Sequence, residues 1–319
     1  MAQISFNEEQ NPVIQNESFG GEQSIIEQPV ETPIAIEEKT LTTEGTAKGL
    51  SQEEINDPNN ISVTIADKDA PIVVLFGPPQ CGKTMTLVRL TRFLSENGYT
   101  ITPVRTFRPT YDSNYTDLCD NFDTMINQDD AADSTNRISF MLVKVSKKGR
   151  PICQLLEAPG EYYFNPKAPN TPFPRYFNAI KSSKNRKIWT IMVEPDWANE
   201  EDRKNYVTRI KYLKKQMATK DKTIVVYNKI DKTDFLIDNS GNAQIGAATK
   251  NIKDLYPGIF EPFRNTQPIL SWFTPYNCDF TVFQTGDYTK TDAGTKVFQQ
   301  GADVFPRKLW NIIIKHVRG

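Results

Sequence analysis

The sequence predicts an α/β fold in which a mostly parallel sheet is flanked by helices and carries one antiparallel hairpin strand. Two observations predict it. Short apolar runs alternate along the chain with longer segments whose apolar residues recur at helical spacing. The first apolar run is joined to the first helical segment by a glycine-containing loop, and the order strand, loop, helix is the unit from which parallel α/β sheets are built.

The first strand and the first helix have the clearest patterns. Residues 71–76 are apolar throughout, which is typical of a strand that is buried on both faces. Leu87, Leu90 and Leu94 follow at intervals of three or four residues and predict a helix over residues 85–97.

The middle of the chain predicts a hairpin between two irregular segments. Residues 101–137 are polar and indicate a long excursion with one short helix. Residues 138–145 and 152–157 are apolar runs joined by a lysine- and glycine-containing turn, which predicts two antiparallel strands. The proline-rich residues 162–178 predict an irregular loop.

The remaining elements alternate regularly. Further strands are predicted at residues 188–193, 223–227 and 279–284. Helices are predicted at residues 200–218, 247–264 and 302–317. This alternation extends the α/β pattern to the end of the chain.

The first sixty residues differ from the rest in charge. They contain twelve acidic and two basic residues and only two aromatic ones. Such a segment buries too little apolar surface to offset its ordering entropy. We therefore expect residues 1–58 to be an acidic disordered tail and residues 59–319 to form the folded domain. The tail is either solvated, or a docking arm or autoinhibitory segment that lies on the basic remainder of the chain.

Composition excludes several other classes of function. The chain has 38 basic and 39 acidic residues, a balance that makes nucleic acid an unlikely partner. It has no apolar stretch of membrane-spanning length, which predicts no membrane span. Its four cysteines are widely separated, so a reducing cytoplasm is expected. A single histidine argues against Ser-His or Cys-His catalysis.

The loop after the first strand fits the phosphate-binding pattern G-x-x-x-x-G-K-[ST]. Its residues are Gly77, Pro78, Pro79, Gln80, Cys81, Gly82, Lys83 and Thr84. Glycines let the backbone approach an anion, and successive N–H groups form a concave site at the start of the helix. Lys83 is expected to reach the β- and γ-phosphates, and the Thr84 hydroxyl to ligate Mg²⁺. We include Met85 among the predicted binding residues.

A second motif follows the predicted strand at residues 223–227. Asn228, Lys229 and Asp231 spell N-K-x-D. A carboxylate at Asp231 can accept hydrogen bonds from N1–H and the 2-amino group of guanine. Adenine has an acceptor at N1 and no 2-amino group, so it would leave the carboxylate unpaired. The stem of Lys229 can cover the face of the base, and Asn228 can brace the loops.

The two motifs together resemble those of P-loop GTPases of the translation-factor and Ras-like class. The resemblance covers roughly residues 70–318. It implies a Ras-like G domain that binds GTP or GDP with Mg²⁺. It also implies that the loop backing the guanine follows the strand at 279–284, where Thr285 and Gly286 are the candidates.

A third segment resembles the D-x-x-G motif of this class, with Glu157 in place of the aspartate. The resemblance implies that Glu157 holds Mg²⁺ through a water and that the N–H of Gly160 contacts the γ-phosphate. Glu161 stands where many such GTPases carry a glutamine that orients water. A carboxylate there either activates water or is repelled by the phosphate, which would leave a slow enzyme.

The class also uses a threonine before the hairpin to sense the γ-phosphate and complete the Mg²⁺ shell. Thr135 is the candidate nearest the strand at 138–145, and the alternatives are Thr110, Thr116 and Thr124. The predicted catalytic residues are thus Lys83, Glu161 and Thr135. Three arginines of the same loop, which we expect to be solvated, are Arg105, Arg108 and Arg137.

The predicted function is a GTP-binding switch that hydrolyses GTP slowly. The long loops at residues 100–137 and 160–178 are expected to contact a protein partner, because these regions respond to the γ-phosphate in the class. Two alternatives stay open from the sequence. One is a non-hydrolysing scaffold that keeps GTP as a structural ligand, and the other is a P-loop ATPase or kinase with an accidental N-K-x-D.

Overall fold

The structure is a computed structural model. It describes residues 50–122, 124, 140–195, 197, 199–233, 244–267, 272, 274–290 and 296–319. The strands of its main sheet are β1 (Ile72–Phe76), β2 (Thr100–Pro103), β3 (Met141–Lys147), β4 (Arg150–Glu157), β5 (Lys187–Val193), β6 (Lys222–Tyr227) and β7 (Asp279–Val282). They form a seven-stranded sheet in the order β2-β3-β4-β1-β5-β6-β7. A separate two-stranded sheet contains β8 (Gly286–Lys290) and β9 (Lys296–Gln300).

The pairing of the strands confirms the predicted fold class. β1 runs parallel to β4 and β5, and the parallel part continues through β6 and β7. β3 runs antiparallel to β2 and β4, so the predicted hairpin is present. Every residue of β1 is at most 2% exposed, because helices cover both faces of a parallel sheet. The loops that follow β1, β5 and β6 therefore leave the sheet at one common edge.

Eight helices are found in the described part of the chain. They are α1 (Gln52–Asn56), α2 (Lys83–Glu96), α3 (Ser113–Asp120), α4 (Gly160–Tyr163), α5 (Arg175–Ser182), α6 (Glu200–Gln216), α7 (Ile245–Leu255) and α8 (Val304–Arg318). The helix predicted at 247–264 ends nine residues earlier than expected, and β2, β8 and β9 were not predicted. Within the described residues, none of the helices has the length and apolarity needed to cross a bilayer.

The last residues of the predicted acidic tail pack onto the domain. Ser51 caps α1, accepting a hydrogen bond from the Glu54 amide and donating its own amide to the Glu54 carboxylate. Glu54 forms a two-pronged ion pair with Arg108, at 2.6 and 2.8 Å. Arg108 also donates to Asp112 and to the carbonyl of Ser62. Residues 50–58 thus belong to the described fold, while residues 1–49 lie outside the described residues.

Arg108 is not the solvated arginine that the sequence suggested. It is 3% exposed, and its guanidinium lies 5.5 Å from the centroid of the Phe140 ring. Arg105, in contrast, forms an exposed ion pair with Asp120, as expected for a surface residue. Arg137 lies outside the described residues.

The proline-rich segment after β4 is held against α6 by one buried arginine. Arg209 donates from Nε to the carbonyl of Tyr163 at 2.5 Å and from a terminal nitrogen to the carbonyl of Thr171. Its guanidinium lies 3.7 Å from the centroid of the Phe173 ring. Burial lowers the pKa of Arg209 to about 10, so it keeps its charge at neutral pH. The loop predicted at 162–178 is irregular only between α4 and α5, over residues 164–174, because α4 ends at Tyr163 and α5 begins at Arg175.

Replacing Arg108 tests how α1 is attached. Arg108→Leu leaves the Glu54 carboxylate without its cationic partner. The free energy of unfolding should fall by about 3 kcal/mol, since breaking a buried ion pair leaves an uncompensated charge. Arg105→Leu removes a fully exposed ion pair and should leave the free energy of unfolding almost unchanged, because such pairs are screened by water. Urea denaturation of both variants gives the comparison. Equal losses would show that the Arg108 contacts contribute no more than a surface pair.

Candidate nucleotide-binding site

The phosphate-loop octet lies where the sequence places it, between the end of β1 and the start of α2. Gly82 has φ of 86° and Gln80 has φ of 62°, both in the left-handed region. A Cβ added at Gly82 would lie 2.3 Å from the side-chain nitrogen of Asn228. One added at Gly77 would lie 2.6 Å from the sulfur of Cys81. The close packing of the loop against Asn228 and Cys81 therefore requires glycine at both positions. Successive backbone N–H groups in such a turn form a concave anion site.

Lys83 and Cys81 line this loop from within. Lys83 is 6% exposed and donates to the carbonyl of Pro78 at 2.8 Å. A phosphate oxygen is a stronger acceptor for this ammonium than a neutral carbonyl. Burial raises the pKa of Cys81 to about 11. Its thiol is thus neutral at physiological pH and adds no negative charge to the phosphate site.

Thr84 and Glu157 meet at the edge shared by β1 and β4. The Thr84 hydroxyl donates to Oε1 of Glu157, and Glu157 pairs in register with Leu75 of β1. Glu157 is 2% exposed, and its Oε2 has no hydrogen-bond partner among the described residues. Burial raises its pKa to about 8, although Thr84 and Lys83 act to lower it. A buried carboxylate with an unused oxygen is typical of a functional site, because it costs stability.

Gly160 lies directly on the phosphate loop. A Cβ at this position would come within 2.5 Å of the backbone atoms of Pro78 and Pro79 and 2.6 Å of Nζ of Lys83. Only glycine fits here, which agrees with a residue whose backbone contacts the terminal phosphate. Glu161 follows in α4, and its side chain is exposed to solvent.

The N-K-x-D motif is joined to the phosphate loop by one hydrogen bond. Asn228 is 1% exposed and donates from its side-chain nitrogen to the carbonyl of Cys81 at 2.9 Å. The backbone N–H of Asn228 donates to the carbonyl of Val193, at the end of β5. Lys229 has φ of 53° and forms an ion pair with Glu194. Asp231 lies in the single helical turn that follows and is exposed.

The chain after β7 lies beside this motif. The backbone amide of Ile230 donates to the carbonyl of Phe283 at 3.3 Å, which brings Thr285 and Gly286, two and three residues further along the chain, close to N-K-x-D. Gly286 begins β8, and the carbonyl of Thr285 accepts from the amide of Gly301 at 3.2 Å. The predicted guanine-backing position is therefore the base of the β8–β9 hairpin.

Thr135, the predicted γ-phosphate sensor, lies outside the described residues. The alternatives Thr110, Thr116 and Thr124 are exposed, and Thr116 donates its hydroxyl to Asp112 within its own helix. Sequence reasoning missed Glu194, and its only signal was a carboxylate placed directly after an apolar strand. The described residues contain no cluster of three or more His, Cys, Asp or Glu side chains arranged to hold a metal.

Comparison with known proteins gives likenesses to solved structures alone. No family model and no curated protein matches the chain. The nucleolar GTP-binding protein 1 of Plasmodium falciparum is similar at 12% identity, over 81% of this chain and 90% of that one, with a TM-score of 0.39. The GTP-bound Ski7 GTPase-like domain of S. cerevisiae is similar at 14% identity, over 79% and 50%, with a TM-score of 0.36.

A third similar structure is translation elongation factor SelB from Methanococcus maripaludis. It is 13% identical, over 80% of this chain and 35% of that one, with a TM-score of 0.31. Because these identities and TM-scores are low, the functional assignments below rest on the residues and geometry of this chain.

Two glycine substitutions separate backbone strain from loss of the site. Gly82→Ala meets the Asn228 side chain and should lower the free energy of unfolding by about 2–4 kcal/mol and abolish tripolyphosphate binding. Gly98 has a similar φ of 74° and no atom within 4 Å of an added Cβ. Gly98→Ala should cost about 1–2 kcal/mol and leave binding intact. Denaturation measures the free energy of unfolding of each variant, and calorimetry measures its affinity for tripolyphosphate. Equal losses in the two variants would contradict the steric argument.

Proposed function

We propose that this chain is a GTP-binding molecular switch. One observation carries the proposal: the Asn228 side chain is bonded to the Cys81 carbonyl at 2.9 Å. A loop suited to phosphates and a motif suited to guanine thus lie against each other at one edge of the sheet. A single nucleotide, with its base at one end and its phosphates at the other, can span both.

The phosphate end of the site is the octet together with the first residue after it, Met85. The backbone amides and the N-terminal dipole of α2 attract the negative charge. Lys83 exchanges the Pro78 carbonyl for oxygens of the β- and γ-phosphates. Gly160, already against the loop, places its N–H toward the γ-phosphate, so that this residue reports whether that phosphate is present.

The residues present fit a magnesium ion. Thr84 and Glu157 offer oxygen donors, and Oε2 of Glu157 is buried without a partner among the described residues. Few protein ligands are needed, since phosphate oxygens and waters supply most of the Mg²⁺ shell. When bound, the ion neutralises charge on the β- and γ-phosphates. Thr135 stays our candidate for a further ligand.

The base end of the site is formed by three segments. Asp231 accepts hydrogen bonds from guanine, and the stem of Lys229 covers one face of the base. Thr285 and Gly286 lie at the turn between β7 and β8, beside this motif, and are proposed to back the base from the other side. Selectivity follows because adenine would leave the Asp231 carboxylate unpaired.

Hydrolysis by this site is proposed to be slow. Lys83 stabilises charge on the transferred phosphoryl group, and Glu161 orients the attacking water. The arginines of the first loop that the structure describes are occupied, Arg105 by Asp120 and Arg108 by Glu54. This occupation favours an enzyme that needs a partner for rapid turnover. It equally supports the second candidate, a scaffold that keeps GTP as a structural ligand.

The protein partner is proposed to contact the loops at 100–137 and 160–178. Gly160, at the start of the second loop, touches the phosphate loop, and Tyr111, in the first, is 86% exposed. A partner that recognises the arrangement set by the γ-phosphate would convert nucleotide identity into a signal. Single-turnover phosphate release, measured with and without a partner, separates the switch from the scaffold.

Asp231→Ala tests the choice of base. The variant should bind GTP about 10- to 100-fold more weakly, because a charged hydrogen-bond acceptor is lost. Its affinity for tripolyphosphate should be unchanged, since the phosphate contacts are elsewhere. Competition between GTP and ATP for a fluorescent nucleotide measures the selectivity. Wild-type protein that binds ATP as tightly as GTP would support the ATPase alternative.

Glu157→Gln tests the magnesium site through its pH dependence. Because the pKa of Glu157 is about 8, the carboxyl is mostly protonated at pH 7 and must lose its proton to act as an anionic ligand. Affinity for GTP·Mg²⁺ should therefore rise with pH up to about 8, by at most about tenfold per unit, and then level off. The variant should lack this slope, as should wild-type protein in EDTA. An identical slope in the variant would exclude Glu157.

The same substitution predicts a change in stability. Folding raises the pKa of Glu157 from 4.5 to about 8, so the folded state binds more protons and stability falls as pH rises through this window. Without nucleotide, Glu157→Gln should therefore gain stability relative to wild type between pH 5 and pH 8, about 1 kcal/mol or more at the upper end. Thermal melting across this range measures the difference.

A further inference from the structure

Glu194 is a buried carboxylate at the edge of the site, and none of the roles proposed above uses it. It follows the last residue of β5 and is 7% exposed. Its backbone is fixed by Tyr256, whose hydroxyl donates to the Glu194 carbonyl at 2.7 Å and accepts from its amide at 3.4 Å. A charge held this rigidly in a buried place needs a partner, since an unpaired buried carboxylate is costly.

That partner is Lys229 of the N-K-x-D motif, through an ion pair between Nζ and the Glu194 carboxylate. Lys229 starts from a left-handed backbone at the end of β6, where φ is 53°, and reaches toward the end of β5. Both charges act on the buried thiol of Cys81, Glu194 raising its pKa and Lys229 lowering it. Lys229 directly follows Asn228, whose side chain donates to the Cys81 carbonyl at 2.9 Å, so the pair lies close to the phosphate loop.

We propose that Glu194 is a positioning residue that fixes the Lys229 side chain across the face of the guanine base. The inference rests on the proposed GTP binding and deepens it. A lysine side chain has four rotatable bonds, and its methylene stem can lie on an apolar surface while its charge is held elsewhere. Anchoring Nζ before the nucleotide arrives removes rotamer entropy that binding would otherwise cost.

Two features separate this role from simple stabilisation of the fold. Lys229 is 26% exposed on its side chain, so its ammonium group has access to water. The carboxylate, in contrast, is enclosed. The pair thus joins a buried carboxylate at the end of β5 to a partly exposed lysine at the end of β6.

The experiment is a double-mutant cycle with Glu194→Gln, Lys229→Met and the two together. Affinities for GTP, ATP and tripolyphosphate are measured by calorimetry on the full chain. Asp279→Asn is the matched control, since Asp279 forms a partly exposed carboxylate–lysine pair with Lys315 on another part of the sheet. Glu194→Asp, which keeps the charge, is the second variant if Glu194→Gln folds poorly.

Glu194→Gln should weaken GTP binding about tenfold, the factor that corresponds to the rotamer entropy of one lysine. Tripolyphosphate binding should not change. In the Lys229→Met background the substitution should add no further loss, and Glu194→Asp should retain most of the wild-type affinity. Asp279→Asn should leave all three affinities unchanged.

Equal losses for GTP and tripolyphosphate, or losses that add in the double variant, would overturn the positioning role. So would a neutral Glu194→Gln or an Asp variant as weak as the Gln variant. Failure of the proposed function is distinct from these outcomes. In that case wild-type protein binds tripolyphosphate yet shows no preference for GTP over ATP, before any variant is compared.

Discussion

The site depends on the contact between Asn228 and the carbonyl of Cys81. This bond joins a loop after β6 to a loop after β1, two strands that are separated by β5. It is possible because the strands are parallel and buried, so their carboxyl ends meet at one edge. Gly82 is required at the same place, since any side chain there would displace the amide of Asn228.

The site carries features that do not favour stability. Glu157 is buried with its pKa raised to about 8, Glu194 is enclosed beside a partly exposed lysine, and Gln80 and Lys229 have left-handed backbones. Away from this edge, Arg108 is buried together with two carboxylate partners, Glu54 and Asp112. Desolvated carboxylates and left-handed backbones beside a glycine loop are typical of a binding site whose instability is offset by packing elsewhere.

Much of the fold follows from the sequence because local patterns and the global topology agree. β1, β5 and β6 are continuous apolar runs, and the two strands of the β3–β4 hairpin are separated by a glycine-containing turn. The edge strand β2 reads Thr-Ile-Thr-Pro and buries only Ile101, so it has no apolar run by which it could be recognised. The β8–β9 hairpin was not predicted; the sequence analysis named only Thr285 and Gly286 in this region, as candidates to back the base. The two proposed binding motifs could be recognised in the sequence because the residues of each are contiguous.

What the sequence could not reveal depends on contacts between distant residues. Arg108 looks solvated until Glu54, more than fifty residues earlier in the chain, is seen beside it. Glu194 has no motif, and its importance arises only when the end of β5 is placed next to Lys229. The raised pKa of Glu157 likewise comes from burial in the sheet. A motif identifies residues whose chemistry is set by their type and spacing. Residues whose role depends on burial or on a partner far away in the chain are recognised only in the structure.

The central claim is that one edge of the sheet selects a guanine nucleotide. Its most direct test is the identity of the nucleotide that copurifies with the full chain. The protein is purified in the presence of Mg²⁺ and then denatured, and the released nucleotide is identified by chromatography and mass. We predict GTP or GDP at close to one molecule per chain, with no adenine nucleotide enriched. ATP or ADP bound in its place would contradict the account.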